Sequence, residues 1–360
     1  MKMMLRSGKA GENVLDRSVF KRIHAVYNKG ERVTMSADPV TLAVSAIGEY
    51  AVYAAVNALS AEKILPTCFR PVILLPSGTE ESRLREIMDR IGRACASQEL
   101  VIEGGHTEVT SAVTRPVVTG CCTGVPMTER CTGVSMTGNC TGVPMAGNCT
   151  GMSKTTVSGN RSCEEPNETS GPGSNHRDEP ESPCARHIVM TKWAGMEGSC
   201  ILAREREELQ KVFPETLLHR MRSLGGLLSV KREAVICAEE GALYLTDLSE
   251  SGFYAALWRL SKKAQRGLRV DLPSVPVLQE TIEIANYYDI DPYRMRSAGS
   301  LLAVTDDAEQ LIARLAENGI CAVRIGELSQ DPSDHDKILT NGEEIRYLDL
   351  PQPDELLKII

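Results

Sequence analysis

The chain has 360 residues, of which 42% are hydrophobic and 24% charged, and its formal net charge is −8. This composition is that of an ordinary globular protein, and the length allows two domains with separate cores. The acidic balance excludes a general nucleic-acid binder, which needs a basic surface. No apolar stretch approaches a membrane span, and the N-terminus lacks the apolar core of a signal peptide. We therefore expect a cytoplasmic protein with no nucleic-acid or membrane partner.

The first 120 residues alternate between helical and strand patterns. Apolar residues near a helical period predict an amphipathic helix over 12–27. The next expected elements are a strand over 31–37, a small-residue helix over 46–63, a buried strand over 67–75, a helix over 79–97, and strands around 100–103 and 115–121. This alternation predicts an α/β or α+β domain.

Two adjacent glycines, Gly104 and Gly105, follow the short strand that begins at Val101. Paired glycines let a backbone approach a ligand closely and present free N–H groups to an anion. Thr107 and Glu108 can then bind a phosphate, a metal or a metal-bound water. A second strand follows this turn at hairpin distance. The alternative to a ligand-binding turn is one that only reverses the chain.

The segment 121–186 breaks the pattern. Nine-residue repeats begin at Cys122, Cys131 and Cys140, with a partial copy from Cys149, and a Ser-, Pro- and Glu-rich stretch follows. Such a sequence buries too little apolar surface to offset its ordering entropy, which favours a disordered insertion. A metal module built on the repeat cysteines is the alternative, although closed zinc sites favour tighter spacing. The singly placed cysteines elsewhere in the chain read as small buried hydrophobes.

A second α+β domain is expected from His187 onward. The expected strands are 187–192, 234–238, 243–246, 299–305 and 321–325, and the expected helices are 197–209, 214–224, 252–264, 277–287 and 307–317. The end of the chain reads as a tail that docks or frays at the surface. The expected organisation is thus an N-terminal domain over 1–120, an insertion over 121–186, a C-terminal domain over 187–330 and a tail over 331–360.

Six segments occur in an order and spacing that resemble the aminoimidazole ribonucleotide (AIR) synthase superfamily. Within it the chain resembles AIR-synthase-related proteins similar to the hydrogenase maturation factor HypE. The segments are Ser36–Pro39, Val56–Ala61, Val101–Val109, Val189–Gly198, Leu245–Gly252 and Ser297–Val304. The resemblance implies a two-domain α+β fold, with N-terminal sheets that pair into a dimeric barrel and a C-terminal α/β sandwich.

The resemblance also implies ATP and Mg²⁺ as cofactors, with a homodimer and a maturation protein as partners. The implied metal ligands are Asp38, Glu108 and Asp247. The implied nucleotide contacts are Asn57, Gly104, Gly105, His106, Thr107, Lys192, Glu197, Gly198, Ser251 and Gly252. No catalytic residue is assigned. For the turn at Ser297–Ser300, close packing against the facing helix explains the small residues as well as contact with a ligand does. For Lys192, a solvated surface position is the alternative.

Several positions depart from the family pattern. Ala58 replaces the aspartate after Asn57, and His106 replaces the aspartate of the glycine turn. An early acidic glycine-rich loop is missing, and the chain ends in Ile359-Ile360 without the reactive cysteine of HypE. The expected function is ATP-dependent activation of an amide or carbonyl group in hydrogenase or other protein maturation. A catalytically degenerate nucleotide-binding dimeric scaffold and a decayed family member are the alternatives, so whether the chain is an enzyme stays open.

Overall fold

The structure of the protein is a computed structural model that describes residues 23–28, 31–127 and 186–360. These residues belong to one compact unit. The repeats from Cys131 onward, the rest of the expected insertion to 185, and the part of the expected first helix over 12–22 lie outside the described residues.

The N-terminal domain is a six-stranded mixed sheet covered by two helices. The strand order is β1-β2-β6-β3-β4, and β5 also pairs with β3. The strands are β1 (Ile23–Asn28), β2 (Glu31–Val40), β3 (Ile64–Pro76), β4 (Val101–Ile102), β5 (His106–Thr110) and β6 (Val117–Pro126), and the helices are α1 (Ile47–Ser60) and α2 (Glu81–Ser97).

Two glycines, which have no Cβ, allow helix α1 to lie directly on the sheet and on helix α2. A Cβ at Gly120 of β6 would stand 2.3 Å from the carbonyl oxygen of Ala51, and one at Gly48 would stand 2.6 Å from that of Ile87. The opposite face of the sheet is half-exposed, because the residues of β6 alternate between buried and partly exposed. One face therefore forms the core, and the other is available to a further layer.

Three sequence-based expectations fail in this domain. Residues 23–27, expected in a helix, form β1, which pairs with β2. Strands β5 and β6 do not form a hairpin, because both pair with β3, β5 in parallel and β6 antiparallel. Strand β6 continues to Pro126, so Cys121 and Cys122, placed in the insertion by the sequence, are strand residues.

The C-terminal domain is a seven-stranded sheet with helices on both faces. The strand order is β13-β12-β9-β11-β7-β10-β8. The strands are β7 (His187–Thr191), β8 (Tyr244–Asp247), β9 (Leu268–Asp271), β10 (Leu301–Thr305), β11 (Ala322–Leu328), β12 (Lys337–Asn341) and β13 (Glu344–Tyr347). The helices are α3 (Met196–Glu205), α4 (Glu215–Ser223), α5 (Lys231–Glu239), α6 (Gly252–Ala264), α7 (Gln279–Tyr287) and α8 (Ala308–Glu317).

Strand β10 shows the layering of this domain, since all five of its residues are buried. Leu302 and Val304 belong to the core under α6, and Leu301 and Ala303 belong to the core under α5 and α8. The two-domain α+β fold expected from the sequence is confirmed, with open sheets.

The sequence misassigned one element here and missed three. Residues 234–238, expected as a strand, lie in helix α5, whose buried side includes Ala234 and Cys237. A short apolar run does not distinguish a buried strand from a buried helix. Strands β9, β12 and β13 were not expected, and the last two lie within the segment assigned to the tail.

The two domains share a continuous core. One cluster of buried residues includes Ile47 and Tyr50 of α1 together with Cys200 and Leu202 of α3. At its edge, the backbone N–H and the hydroxyl of Ser45 both donate to a Glu205 carboxylate oxygen, at 2.8 and 2.7 Å. The positions of side chains across the domain boundary are therefore fixed by packing.

Candidate functional site

The glycine turn before β5 lies at the exposed edge of the N-terminal sheet. Gly104 has a φ of +70° and nothing within 4 Å of its Cβ position. Gly105 has a φ of +145°, and a Cβ there would stand 2.7 Å from the carbonyl oxygen of Pro71. The first glycine is thus needed for its conformation and the second for close packing, which leaves an open, accessible turn.

His106, Thr107 and Glu108 follow the turn and are all exposed. The imidazole Nε2 of His106 lies 3.7 Å from a carboxylate oxygen of Glu108, with 64% and 54% of the two side chains exposed. A contact this exposed adds little stability. These side chains are therefore free to exchange that contact for a ligand.

Asp38 and Glu108, both expected to bind metal, lie on opposite faces of the sheet. Asp38 of β2 is aligned with Gly120 of β6, which is aligned with Pro71 of β3. Glu108 is aligned with Leu74, three residues further along β3. Since side chains alternate between faces, an odd offset reverses the side. One chain does not bring these two carboxylates to one ion.

Asp38 and Asp247 are both buried, with 6% and 5% of their surface exposed. Asp247 ends strand β8, and its carbonyl oxygen accepts a hydrogen bond from Arg259 at 2.7 Å. Within residues 23–28, 31–127 and 186–360, no three His, Cys, Asp or Glu side chains gather as a metal site. Magnesium often takes only one or two protein carboxylates and completes its shell with phosphates and water. Asp38 and Asp247 could therefore each act as a single protein carboxylate for such an ion.

Asn57 joins helix α1 to the segment 227–231, here named the 227–231 loop. Its side-chain amide donates to the carbonyl of Leu228 at 2.7 Å, and its oxygen accepts from the N–H of Val230 at 2.9 Å. Asn57 is 1% exposed. Both ends of the amide thus satisfy backbone groups of the other domain, which would otherwise be buried without partners.

Lys192 reaches the same loop from the end of β7. Its ammonium lies 2.8 Å from the carbonyl oxygen of Leu227, 3.0 Å from that of Ser229 and 2.5 Å from a carboxylate oxygen of Glu233. An ammonium has three donors, and three acceptors surround this one. The buried pair and the two carbonyls therefore hold the loop against β7.

Glu197 forms a second buried ion pair. A carboxylate oxygen lies 3.1 Å from Nε of Arg296 and accepts the N–H of Ala298 at 3.1 Å. Burial raises the pKa of Glu197, and the charge of Arg296 opposes that rise. Burial also acts to lower the pKa of Arg296, but attraction to Glu197 and Asp354 outweighs it and leaves that pKa raised.

The C-terminal segment supplies another carboxylate to this region. Asp354 accepts the N–H groups of Arg296 and Leu356 on one oxygen and that of Ser251 on the other, at 3.2, 3.1 and 3.3 Å. Burial raises its pKa, with Arg296 opposing. The residues after 350 are thus anchored to the turn that contains Ser251.

The small residues expected to face a nucleotide pack against the segment 293–298. A Cβ at Gly198 would stand 2.2 Å from Cγ of Met295. Gly252 has a φ of +68°, and a Cβ there would stand 2.5 Å from the carbonyl oxygen of Met295. Ser251 is also left-handed, with a φ of +59°. Close packing therefore accounts for the glycines at 198 and 252, an explanation that the sequence analysis raised only for Ser297–Ser300.

Sequence reasoning missed the residues that complete these networks, namely Glu233, Arg296, Asp354 and the 227–231 loop. Each of the three charged residues is buried, between 3% and 7% exposed. A signal existed for Asp354, because an Asp before Glu-Leu-Leu is a typical helix cap, and here it caps a short 3-10 helix. Nothing in the local sequence of Glu233 or Arg296 indicates a partner.

Two family models match the chain. The N-terminal domain of AIR synthase related protein matches residues 20–126, and its C-terminal domain matches residues 187–337. No curated protein matches the sequence. Within the described part of the chain, every helix is too short or too polar to cross a membrane.

Solved structures share the fold at low sequence identity. HypE in a HypE–HypF complex is 17% identical, with a TM-score of 0.63 over 91% of this chain and 93% of that one. HypE in complex with ATP is 16% identical, with a TM-score of 0.62 over 90% and 87%. AaThiL complexed with AMPPCP and TMP is 12% identical, with a TM-score of 0.59 over 92% and 91%.

Proposed function

Because the chain belongs to the AIR synthase related family, we propose that it binds ATP with a divalent metal ion and activates an amide or carbonyl oxygen. The observation that carries this proposal is the exposed glycine turn at Gly104–Glu108. The turn is exposed at the edge of the N-terminal sheet, within the region that matches the family. The likeness to HypE in complex with ATP and to AaThiL complexed with AMPPCP supports it.

The residues divide into two roles in this proposal. Gly104, Gly105, His106 and Thr107 contact the phosphates, while Asp38 and Asp247 supply carboxylates for the metal. The metal ion, when bound, neutralises charge that develops on the transferred phosphoryl group. Glu108, on the face opposite Asp38, contacts ligand from that side. The remaining expected contacts hold the loops around the nucleotide. They are Asn57, Lys192, Glu197, Gly198, Ser251 and Gly252.

A homodimer completes the proposal. The half-exposed face of the N-terminal sheet carries Val72, Leu74 and Val117, and a second copy of the chain would cover this apolar surface. Since the solved complex contains HypE and HypF, a maturation partner in the cytoplasm is the second proposed contact.

Calorimetry with magnesium-ATP tests the binding step. Wild-type protein should bind, and Asp38→Asn should weaken binding by roughly 10- to 100-fold, because removing a charged contact commonly costs a few kcal/mol. Glu81→Gln, on the exposed surface of α2, is the matched control and should leave binding unchanged. Equal affinity in Asp38→Asn and wild type would refute the metal assignment, and absence of binding in wild type would refute the nucleotide proposal.

A nucleotide-binding scaffold without turnover is the second candidate. It is favoured by the three acceptors around Lys192, which leave its ammonium engaged by protein groups. The two candidates differ in phosphate release. ATP binding with steady release of phosphate in the presence of an amide donor supports the enzyme, and binding without release supports the scaffold.

A further inference from the structure

A cationic cavity lies in the C-terminal domain, away from the residues discussed so far. Its volume is about 650 Å³, and its lining includes Arg186, Lys262, Arg266, His335 and Lys337. None of the described residues that line it is acidic. In a chain with a net charge of −8, this concentration of positive charge runs against the overall balance.

The cavity lies at the opposite end of the C-terminal sheet from Lys192 and Asp247, two residues that the sequence analysis assigned to the nucleotide and its metal. Arg186 precedes β7 and Lys192 follows it, and Tyr244, which also lines the cavity, begins β8 while Asp247 ends it. Strand β7 has five residues, so its two ends are separated by roughly 17 Å at 3.3–3.4 Å per residue. The two sites therefore do not share side chains.

Two of the cavity lysines are held beside one indole ring. The ammonium of Lys337 lies 4.5 Å from the ring centroid of Trp258, and that of Lys262 lies 5.7 Å from it. Burial lowers the pKa of Lys337, and the charge of Lys262 lowers it further, whereas Asp336 and Asp334 oppose the change. The charge of Lys262 thus repels that of Lys337, and a bound anion would offset this repulsion.

Arg266 is fixed in place at the same cavity. Its Nη1 donates to the carbonyl oxygens of Ser329 and Gln330 at 3.1 and 2.8 Å. A guanidinium has five N–H donors in a rigid fork, and both of these bonds use one nitrogen. An anchored guanidinium loses little entropy on binding an oxyanion.

We propose that this cavity binds a small organic molecule that carries two or more phosphate groups. The cationic side chains that line the cavity come from three separate segments of the chain. The volume falls within the roughly 300–1,000 Å³ of small-molecule sites and exceeds what one inorganic anion fills. Planar guanidinium and paired ammonium groups are the donors that phosphate oxygens favour.

Calorimetry with inorganic pyrophosphate, in phosphate-free buffer without magnesium, tests the proposal. Wild type should bind, and the double variant Lys262→Gln/Lys337→Gln should bind at least about 10-fold more weakly, since hydrogen bonds to charged groups contribute about 1.5–3 kcal/mol each. Arg85→Gln/Arg93→Gln, two exposed changes on α2, is the control for net charge and should bind like wild type. Equal weakening in both double variants, or absence of binding in wild type, would overturn the proposal.

Fluorescence locates the ligand. The chain has two tryptophans, so Trp193→Phe leaves Trp258 as the reporter beside the two lysines. Pyrophosphate should change its emission along the calorimetric binding curve. An unchanged emission during binding would place the ligand elsewhere and overturn the assignment. If the double variant does not fold, His335→Gln replaces it as the test. His335 lies on an exposed loop, and its substitution should also weaken binding. These outcomes do not depend on whether the chain binds ATP.

Discussion

Two regions expected from the sequence to bind nucleotide differ sharply in their surroundings. The turn from Gly104 to Glu108 is exposed, and the contact between His106 and Glu108 is open to solvent. Lys192, Asn57 and Glu197 are buried and already bonded to protein groups. Residues that match family motifs can therefore lie on an exposed surface or belong to a network that joins two domains. Variants that change ligand affinity and stability separately distinguish these two regions.

The largest expected effect comes from Lys192→Met. The substitution leaves the Glu233 carboxylate buried without its ion-pair partner, and breaking a buried pair commonly costs about 3–5 kcal/mol of unfolding free energy. Chemical denaturation measures this loss. Replacing both partners, as Lys192→Met/Glu233→Met, should recover much of it, because no uncompensated charge remains.

The matched control for that pair is on the surface. Arg85→Met breaks an ion pair with Glu81 whose side chains are 72% and 82% exposed, and exposed pairs contribute less than about 1 kcal/mol. A loss in Lys192→Met no larger than that in Arg85→Met would contradict a structural role for Lys192.

Asn57→Leu should be the next most damaging change. It removes both amide contacts and leaves the carbonyl of Leu228 and the N–H of Val230 without them. An unsatisfied buried polar group costs about 1–3 kcal/mol. Hydrogen exchange of the Val230 amide should accelerate along with the loss of stability. Unchanged protection of the Val230 amide would show that the Asn57 side chain does not hold the 227–231 loop.

Two glycine-to-alanine substitutions in helices should change the stability by smaller amounts and in opposite directions. Gly198→Ala places a methyl group against Met295 and should destabilise by about 1–3 kcal/mol, the usual cost of overpacking. Gly92→Ala in α2 meets nothing within 4 Å and should stabilise by about 0.5–1 kcal/mol, because alanine favours a helix. Thermal unfolding of both variants checks the signs. A stabilised Gly198→Ala protein would mean that Met295 moves aside.

The smallest stability effect is expected at the exposed turn. Glu108→Gln should change the unfolding free energy by less than about 0.5 kcal/mol, as surface substitutions usually do. The same variant should bind magnesium-ATP more weakly than wild type if the turn contacts ligand. A stability loss comparable to that of Asn57→Leu would remove the distinction between the two regions.

Periodicity predicted most of the fold. Apolar spacing located helices α1 and α2 and strands β3, β7 and β10 to within a few residues. It failed at residues 23–27 and 234–238, where short apolar runs fit either a helix or a strand. It also missed the polar strands β12 and β13, whose position depends on pairing beside β9 rather than on their own pattern.

Residue order and spacing were enough to indicate the family, the two-domain α+β organisation and the glycine turn before β5. Those features follow from local propensity and from residue order, which a chain carries before it folds. Tertiary structure was needed to show that Asp38 and Glu108 lie on opposite faces, because strand register fixes the side of each residue. It also decided that Lys192 meets Glu233 across about 40 residues and Asn57 meets Val230 across 173, since partners this distant are selected by packing.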